Sequence, residues 1–384
     1  MRLGLIIYGN IDTLTGGYIY DRILVEDLQS RGYQVDIISL PWRNYGRHLL
    51  DNFSPGLRFD LADSSYDILL QDELNHPSLF LFNRNLKRNT SLPMVAIVHQ
   101  VSCRQPRTRL LNRIYQAVEK RYLESVDAMI FNSDTTRRTV EALIGDKRPS
   151  IVAYPAGDRL GQLSSIDQIG SRTHDDGPLR LIYVANVLPH KGLLPLIIGL
   201  SHLSSEIWHL TVVGSLTMDD RYVRKIKRRI RQKNLSRQID IAGPKDGNEL
   251  AGLFAQRQVF VRPYSHEGFG MAYLEAMAFA LPAVGSSKGA VREFVIPGQN
   301  GFLIEPDDYN SVNACVHDLH YDRQRLLKMS YGAFRTYQER PRWRDTMESI
   351  HRFLSDLINH RPPAEKRVGR RPQEGAGPRS AGGR

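Results

Sequence analysis

The chain has 384 residues, 41% of them hydrophobic, with 52 Lys+Arg against 41 Asp+Glu and a formal net charge of +11. Such a length predicts two domains or one large barrel, and the ordinary apolar fraction excludes a wholly disordered or fibrous chain. Apolar runs such as Leu193 to Leu200 are far shorter than the roughly 18–20 residues of a membrane span, and two cysteines, Cys103 and Cys315, are too few for a disulfide framework. A soluble protein in a reducing, cytoplasmic compartment is expected.

Short apolar runs alternate with helical patterns along the chain. Candidate strands of the first half are Leu3–Tyr8, Val35–Ser39, Asp67–Leu70, Met94–His99, Ala128–Asn132 and Ile151–Tyr154, with helical patterns such as Tyr18–Arg31 and Leu110–Ser125 between them. The run ending at Tyr8 is too short for a signal peptide and reads as a first strand. Continuous Val/Ile/Leu runs suit strands buried on both faces of a parallel sheet. The stretch Ser164–Pro178 is polar and turn-rich and reads as a linker. Alternation then restarts with strands Leu179–Val184, His209–Val213, Gln238–Ile241, Val259–Arg262 and Ala283–Gly285, separated by helices near Leu193–Leu203, Tyr222–Lys233, Asn248–Ala255 and Met271–Ala280. Two α/β units of this kind place a cleft between them, with ligands at the carboxyl ends of the strands.

Charge is unevenly spread. Residues 361–384 carry seven basic and two acidic residues, five Gly and four Pro, and read as a disordered basic tail. Arg221 to Lys233 holds eight basic and no acidic residues, with Val223, Ile226 and Ile230 at helical spacing, so its outer face is strongly cationic. Arg104, Arg107, Arg109, Arg113, Lys120 and Arg121 form a looser cluster. Each reads as a solvated face or as an attraction to anionic lipid headgroups at an inner membrane face. Nucleic acid is not an expected partner, because no recognition module is visible.

The chemistry is expected around Arg262–Glu275, RPYSHEGFGMAYLE. A strand ends, a turn follows, and Gly268-Phe269-Gly270 lead into a helix whose N-terminus favours an anion. Glu267 and Glu275 flank that site. They read either as a loop ion pair and a surface charge, or as acceptors for the vicinal hydroxyls of a sugar and a ribose.

The segment Glu267 through Asp308 resembles the donor-binding region of the family 4 glycosyltransferases of the GT-B fold. The resemblance rests on Glu267, Gly268, Phe269, Gly270, Glu275, Ala276, Met277, Ala278, Pro282, Glu293, Gly298 and Gly301 in order. Upstream, YVANVLPHKGLLPLI is similar to the strand and turn carrying the family's phosphate-binding lysine, here Lys191; Asn186 stands where the family often has arginine. Arg262, Lys245 and Lys288 are candidates for the missing cation. Gly16-Gly17 and His99 fall where the family has a glycine turn and a sugar-contacting histidine. Pro341–Leu354 resembles the closing helix.

The resemblance implies an α/β, GT-B architecture of two Rossmann-like, doubly wound domains facing a central cleft. Residues 1–170 would bind acceptor, 171–340 a nucleotide diphosphate sugar, and 341–360 would cross back to the first domain. The implied catalytic residues are Glu267, Lys191 and His99; the implied donor-binding residues are Gly17, Asn186, Gly268, Phe269, Gly270 and Glu275. Retention of anomeric configuration is expected, with no cofactor beyond the donor, and an acceptor that is unidentified and lipid-linked in one reading. No Asp-x-Asp triplet occurs, so no metal is expected through that motif. Glu73 and His76 in QDELNHP could face an acceptor, or less readily a metal. The alternatives are a phosphorylase-like enzyme on the same scaffold and an inactive nucleotide-sugar-binding scaffold, the latter favoured by Asn186.

Overall fold

The computed structural model describes residues 1–53, 65–105, 107–162, 165–263, 268–306 and 308–360. Glu267 and the basic tail 361–384 therefore lie outside the described residues. In the first half, strands β1 (Arg2–Tyr8), β2 (Gln34–Leu40), β3 (Ile68–Asp72), β4 (Met94–Val98), β5 (Ala128–Phe131) and β6 (Ser150–Val152) alternate with helices α1 (Gly16–Ser30), α2 (Tyr45–Asp51), α3 (His76–Asn89), α4 (Arg109–Leu123) and α5 (Asp134–Ile144). They form one parallel sheet of order β2-β1-β3-β4-β5-β6. Strands β3 and β4 are buried along their whole length; β4 is one unbroken apolar run, while β3 also buries Gln71 and Asp72 at its end.

The second sheet contains β7 (Leu179–Val184), β8 (Trp208–Val213), β9 (Ile239–Gly243), β10 (Val259–Arg262), β11 (Ala283–Ser286) and β12 (Gly301–Ile304), in order β12-β11-β10-β7-β8-β9. Its helices are α7 (Leu193–Leu200), α8 (Asp220–Gln232), α9 (Gly247–Gln256), α10 (Met271–Ala278), α11 (Tyr309–Tyr321) and α12 (Arg323–Glu339); α6 (Asp167–Thr173) precedes it and α13 (Trp343–Asn359) closes the chain. The fold is thus two doubly wound Rossmann-like sheets of the GT-B type, as expected.

Three features differ from the sequence expectation. The polar stretch 164–178 holds α6, because Ile169 and the aliphatic part of Arg172 are buried while Arg172 donates to the carbonyls of Ala255 and Ala280. Strand β12 was absent from the expected strands because its start, Gly301, reads as part of a glycine turn. That glycine is needed for packing: a Cβ there would lie 2.2 Å from the Ala283 carbonyl oxygen. Helix α10 stops short of Ala280, whose φ of 56° is left-handed, ahead of Pro282.

One apolar cluster runs through both halves, from Leu5 and Ile97 through Phe260 and Leu274 to Ile350 and Leu354 on α13. Helix α13 lies against the first half, with Trp343 edge-on to Tyr20, Arg31 paired to Glu348 at 2.9 Å, and the Thr346 hydroxyl donating to the Tyr154 carbonyl at 2.6 Å. In the first sheet the strand order reverses between β1 and β3, and in the second between β7 and β10. Those two switch points are where ligands bind in such sheets.

Candidate active site

The first half contributes residues from the loops after β1, β3 and β4. Thr15 caps α1 by accepting from the Tyr18 N–H, and Gly17 then passes beneath His99. A Cβ on Gly17 would lie 3.1 Å from His99 Cδ2, so the glycine makes room for the imidazole. His99 stands one residue beyond β4, and its Nε2 is 2.9 Å from Oδ1 of Asp21, a fully buried carboxylate on α1. Burial alone would lower the His99 pKa; the charge and hydrogen bond of Asp21, aided by Asp72, instead raise it above the ordinary histidine value. Asp72, at the end of β3, is pushed up by burial and then by Asp21. Asp21 and Asp72 thus favour the protonated form of the His99 imidazole.

The second half contributes the loops after β7 and β10. Gly270 has φ 96°, which favours glycine, and it precedes α10 without any side-chain cap. The first N–H groups of α10 are left to meet an anion. Gly268 touches the first half directly: a Cβ there would lie 2.0 Å from the His99 carbonyl oxygen, and its own carbonyl accepts from Ser133 at 3.0 Å. His99 and the Gly268–Gly270 turn thus meet across the cleft. Phe269 is 3% exposed, with its ring among Tyr154 and Phe294, so its ring is taken up by packing.

Glu275 is buried on α10, and both Nε and Nη2 of Arg159 reach its Oε1, at 2.9 and 2.8 Å. That arrangement fixes the carboxylate and leaves Oε2 for another donor. Lys191 ends a short turn, Pro189–Lys191, whose last carbonyl accepts from the Tyr183 hydroxyl at 2.8 Å. Asn186 is a tether between halves: its Nδ2 donates to the Leu14 carbonyl at 3.1 Å, and its Oδ1 accepts from the Ser215 N–H at 3.1 Å. An amide suits this two-sided role, which a guanidinium, having no acceptor, could not fill. Of the other cation candidates, Lys245 pairs with Glu249, Lys288 pairs with Glu305, and Arg262 donates to the Val184 carbonyl. Glu293 joins the halves differently, accepting from the Asp134 and Thr135 N–H groups at the start of α5.

Glu73 and His76 are 1% and 2% exposed, which corrects the expectation that they face an acceptor. His76 Nδ1 lies 3.0 Å from Glu73 Oε1, and the two face Glu119 of α4, a third group absent from the sequence reading. Burial pushes Glu73 and Glu119 each up to about 8, and their mutual contact lets them share a proton. Glu119 also accepts from the Ser102 and Cys103 N–H groups at 2.6 and 2.8 Å. The cluster thereby anchors the loop after β4. Asp21, Asp72, Glu119 and Arg159 were not singled out from sequence. Only their partners' positions in the fold disclose them, since a lone carboxylate in a helical pattern carries no local signal.

Comparison with known proteins agrees with this geometry. The profile described as "Glycosyl transferases group 1" matches residues 165–336, and that described as "Glycosyltransferase Family 4" matches residues 20–158. A phosphatidyl-myo-inositol mannosyltransferase of Mycobacterium leprae is 26% identical over 88% of this chain and 93% of its own length. A glycogen synthase of Mycobacterium tuberculosis is 27% identical over 59% of this chain; that match spans 54% of the synthase. Among solved structures, sucrose-phosphate synthase from Thermosynechococcus elongatus superposes with a TM-score of 0.80 at 19% identity, covering 93% of this chain and 99% of that one. HepE of Anabaena in complex with UDP-glucose superposes with a TM-score of 0.74 at 18% identity, covering 93% and 100%. At these identities the structural likeness establishes the fold. With two family profiles accounting for both halves, the chain belongs to the group 1 glycosyltransferases of the GT-B fold, family 4.

Proposed function

We propose that this glycosyltransferase moves a sugar from a nucleotide diphosphate sugar to an acceptor hydroxyl with retention and without a metal, in glycolipid or polysaccharide synthesis. The observation that carries the reading is the meeting, across the cleft, of the His99 backbone with the Gly268–Gly270 turn that opens α10. The α10 N–H groups and Lys191 take up charge on the departing diphosphate, acting as fixed dipoles and a cation at the developing anion. Glu275, held by Arg159, accepts from the ribose hydroxyls. Glu267 orients the sugar, and His99 donates to it from the opposite wall.

In the transfer step the bond between the anomeric carbon and the diphosphate oxygen breaks. The acceptor oxygen bonds to the same face, and the leaving oxygen takes its proton. Relatives support the substrate classes: one is named for a phosphatidyl-myo-inositol acceptor, and one solved neighbour holds UDP-glucose. Among the described residues no helix is long and apolar enough to cross a membrane. A peripheral site on an anionic inner membrane surface fits the exposed cationic face of α8, where Arg221, Arg224, Lys225, Lys227, Arg228 and Arg231 face solvent.

The test is Glu267→Ala. Transfer should fall at least about 100-fold, the scale of losing positioned contacts at the reacting centre, with the melting temperature retained. Activity surviving within a few-fold contradicts the site.

A further inference from the structure

Three arginines of the first half share the lining of one cavity. Arg104, in the short turn Ser102–Arg104 after β4, and Arg109 and Arg113, on the first turns of α4, line a cavity of about 240 Å³ together with Cys103, Asn112 and Gln116. Among the described residues no carboxylate pairs with any of the three. Arg107, beside them, donates to the Ser102 carbonyl and the Gln105 side chain. All three side chains are exposed, and together they make the cavity strongly cationic. Their planar donor forks match the oxygens of a phosphate.

The walls are fixed in place. Glu119 of α4 grips the Ser102 and Cys103 N–H groups, which ties the turn bearing Arg104 to the helix bearing Arg109 and Arg113. The cavity is also close to the chemistry. Arg104 is five residues beyond His99, no more than about 18 Å of fully extended chain, and on the acceptor side of the cleft. On the same turns of α4, Leu110, Leu111 and Ile114 are 70%, 46% and 44% exposed. Apolar side chains beside a cationic cavity suit a ligand with a charged head and a hydrocarbon body.

We infer that this cavity is an acceptor subsite for a phosphate group, presented by an amphiphilic lipid whose apolar part rests on Leu110, Leu111 and Ile114. The inference rests on the transfer reading above and adds the chemical class of its acceptor.

The experiment uses the full chain and the variants R104Q/R109Q/R113Q, L110S/L111S/I114S, K191Q and, to separate the cavity from the cationic face of α8, R224Q/R228Q/R231Q. Two probes are applied: inorganic phosphate, read by thermal shift, and phosphatidylcholine vesicles with or without roughly one-third phosphatidylglycerol, read by sedimentation. Phosphate should stabilise the wild type and K191Q, with the shift lost in R104Q/R109Q/R113Q. Anionic vesicles should bind, and that triple variant should lose about tenfold in affinity, more than the α8 control loses. L110S/L111S/I114S should weaken vesicle binding while keeping the phosphate shift. A pocket-dependent phosphate shift without vesicle binding supports the phosphate subsite and overturns the lipid source in favour of a soluble phosphorylated acceptor. Phosphate and vesicle responses unchanged in R104Q/R109Q/R113Q, or absent from the wild type, overturn the subsite. Stabilisation by UDP, measured on the same variants, reports the donor reading separately, so failure of one is distinguishable from failure of the other.

Discussion

Two buried neighbours favour the protonated form of His99. Its imidazole sits on Asp21 with Asp72 behind, and these outweigh the desolvation that would otherwise keep it neutral. Asp21→Asn removes the nearer countercharge, so desolvation prevails and the His99 pKa should fall. Ring-proton NMR across pH 5–9 reads this; an unchanged midpoint would show that Asp21 does not hold the charge. The sign for stability follows. A raised histidine pKa contributes stability that is complete below the unfolded value near 6.5 and is lost as pH rises through the folded value. His99, the Gly268–Gly270 turn and Glu275 were legible in the sequence because each sits at a strand end or helix start with a distinctive spacing. Asp21 and Arg159 were not, because their roles arise only when residues 78 and 116 positions apart are brought together.

At the scale of elements, the loop after β4 is held by a buried acid pair. Glu73 and Glu119 are each pushed up to about 8 by burial, against ordinary values near 4.5. For an acid with a raised folded pKa, stability is complete below the unfolded pKa and is lost as pH rises through the folded one. Urea midpoints should therefore fall between about pH 4.5 and 8 and level off above. Glu119→Gln should flatten that fall, and a slope as steep as wild type would remove the pair from the account. Elements with unbroken apolar runs, such as β4 and β5, were readable from the residue pattern alone. Strand β12 and helix α6 were not: the former is short and begins with a glycine whose value lies in a neighbour's carbonyl, and the latter buries a single apolar residue.

At the scale of the whole molecule, α13 fastens the end of the chain to the first half, and burial rather than charge should carry that attachment. Ile350 is fully buried, so Ile350→Ala should cost about 2–5 kcal/mol by chemical denaturation. The Arg31–Glu348 pair is 26% and 38% exposed, so Glu348→Ala should cost about 1 kcal/mol or less. The reverse ranking would mean that the ion pair, not the core, secures the helix. The doubly wound plan of both halves followed from the alternation of runs. The tether from Asn186 to Leu14 did not, since the sequence shows only a missing arginine.

The central claim is that loops from two switch points form one site for a nucleotide diphosphate sugar. The most direct test is nucleotide release from a panel of UDP-, GDP- and ADP-sugars by the purified chain, in EDTA and without acceptor. The account predicts slow release from one donor, undiminished by EDTA, together with thermal stabilisation by that donor. No release and no stabilisation by any donor would contradict it, and release abolished by EDTA would contradict its metal-independent form.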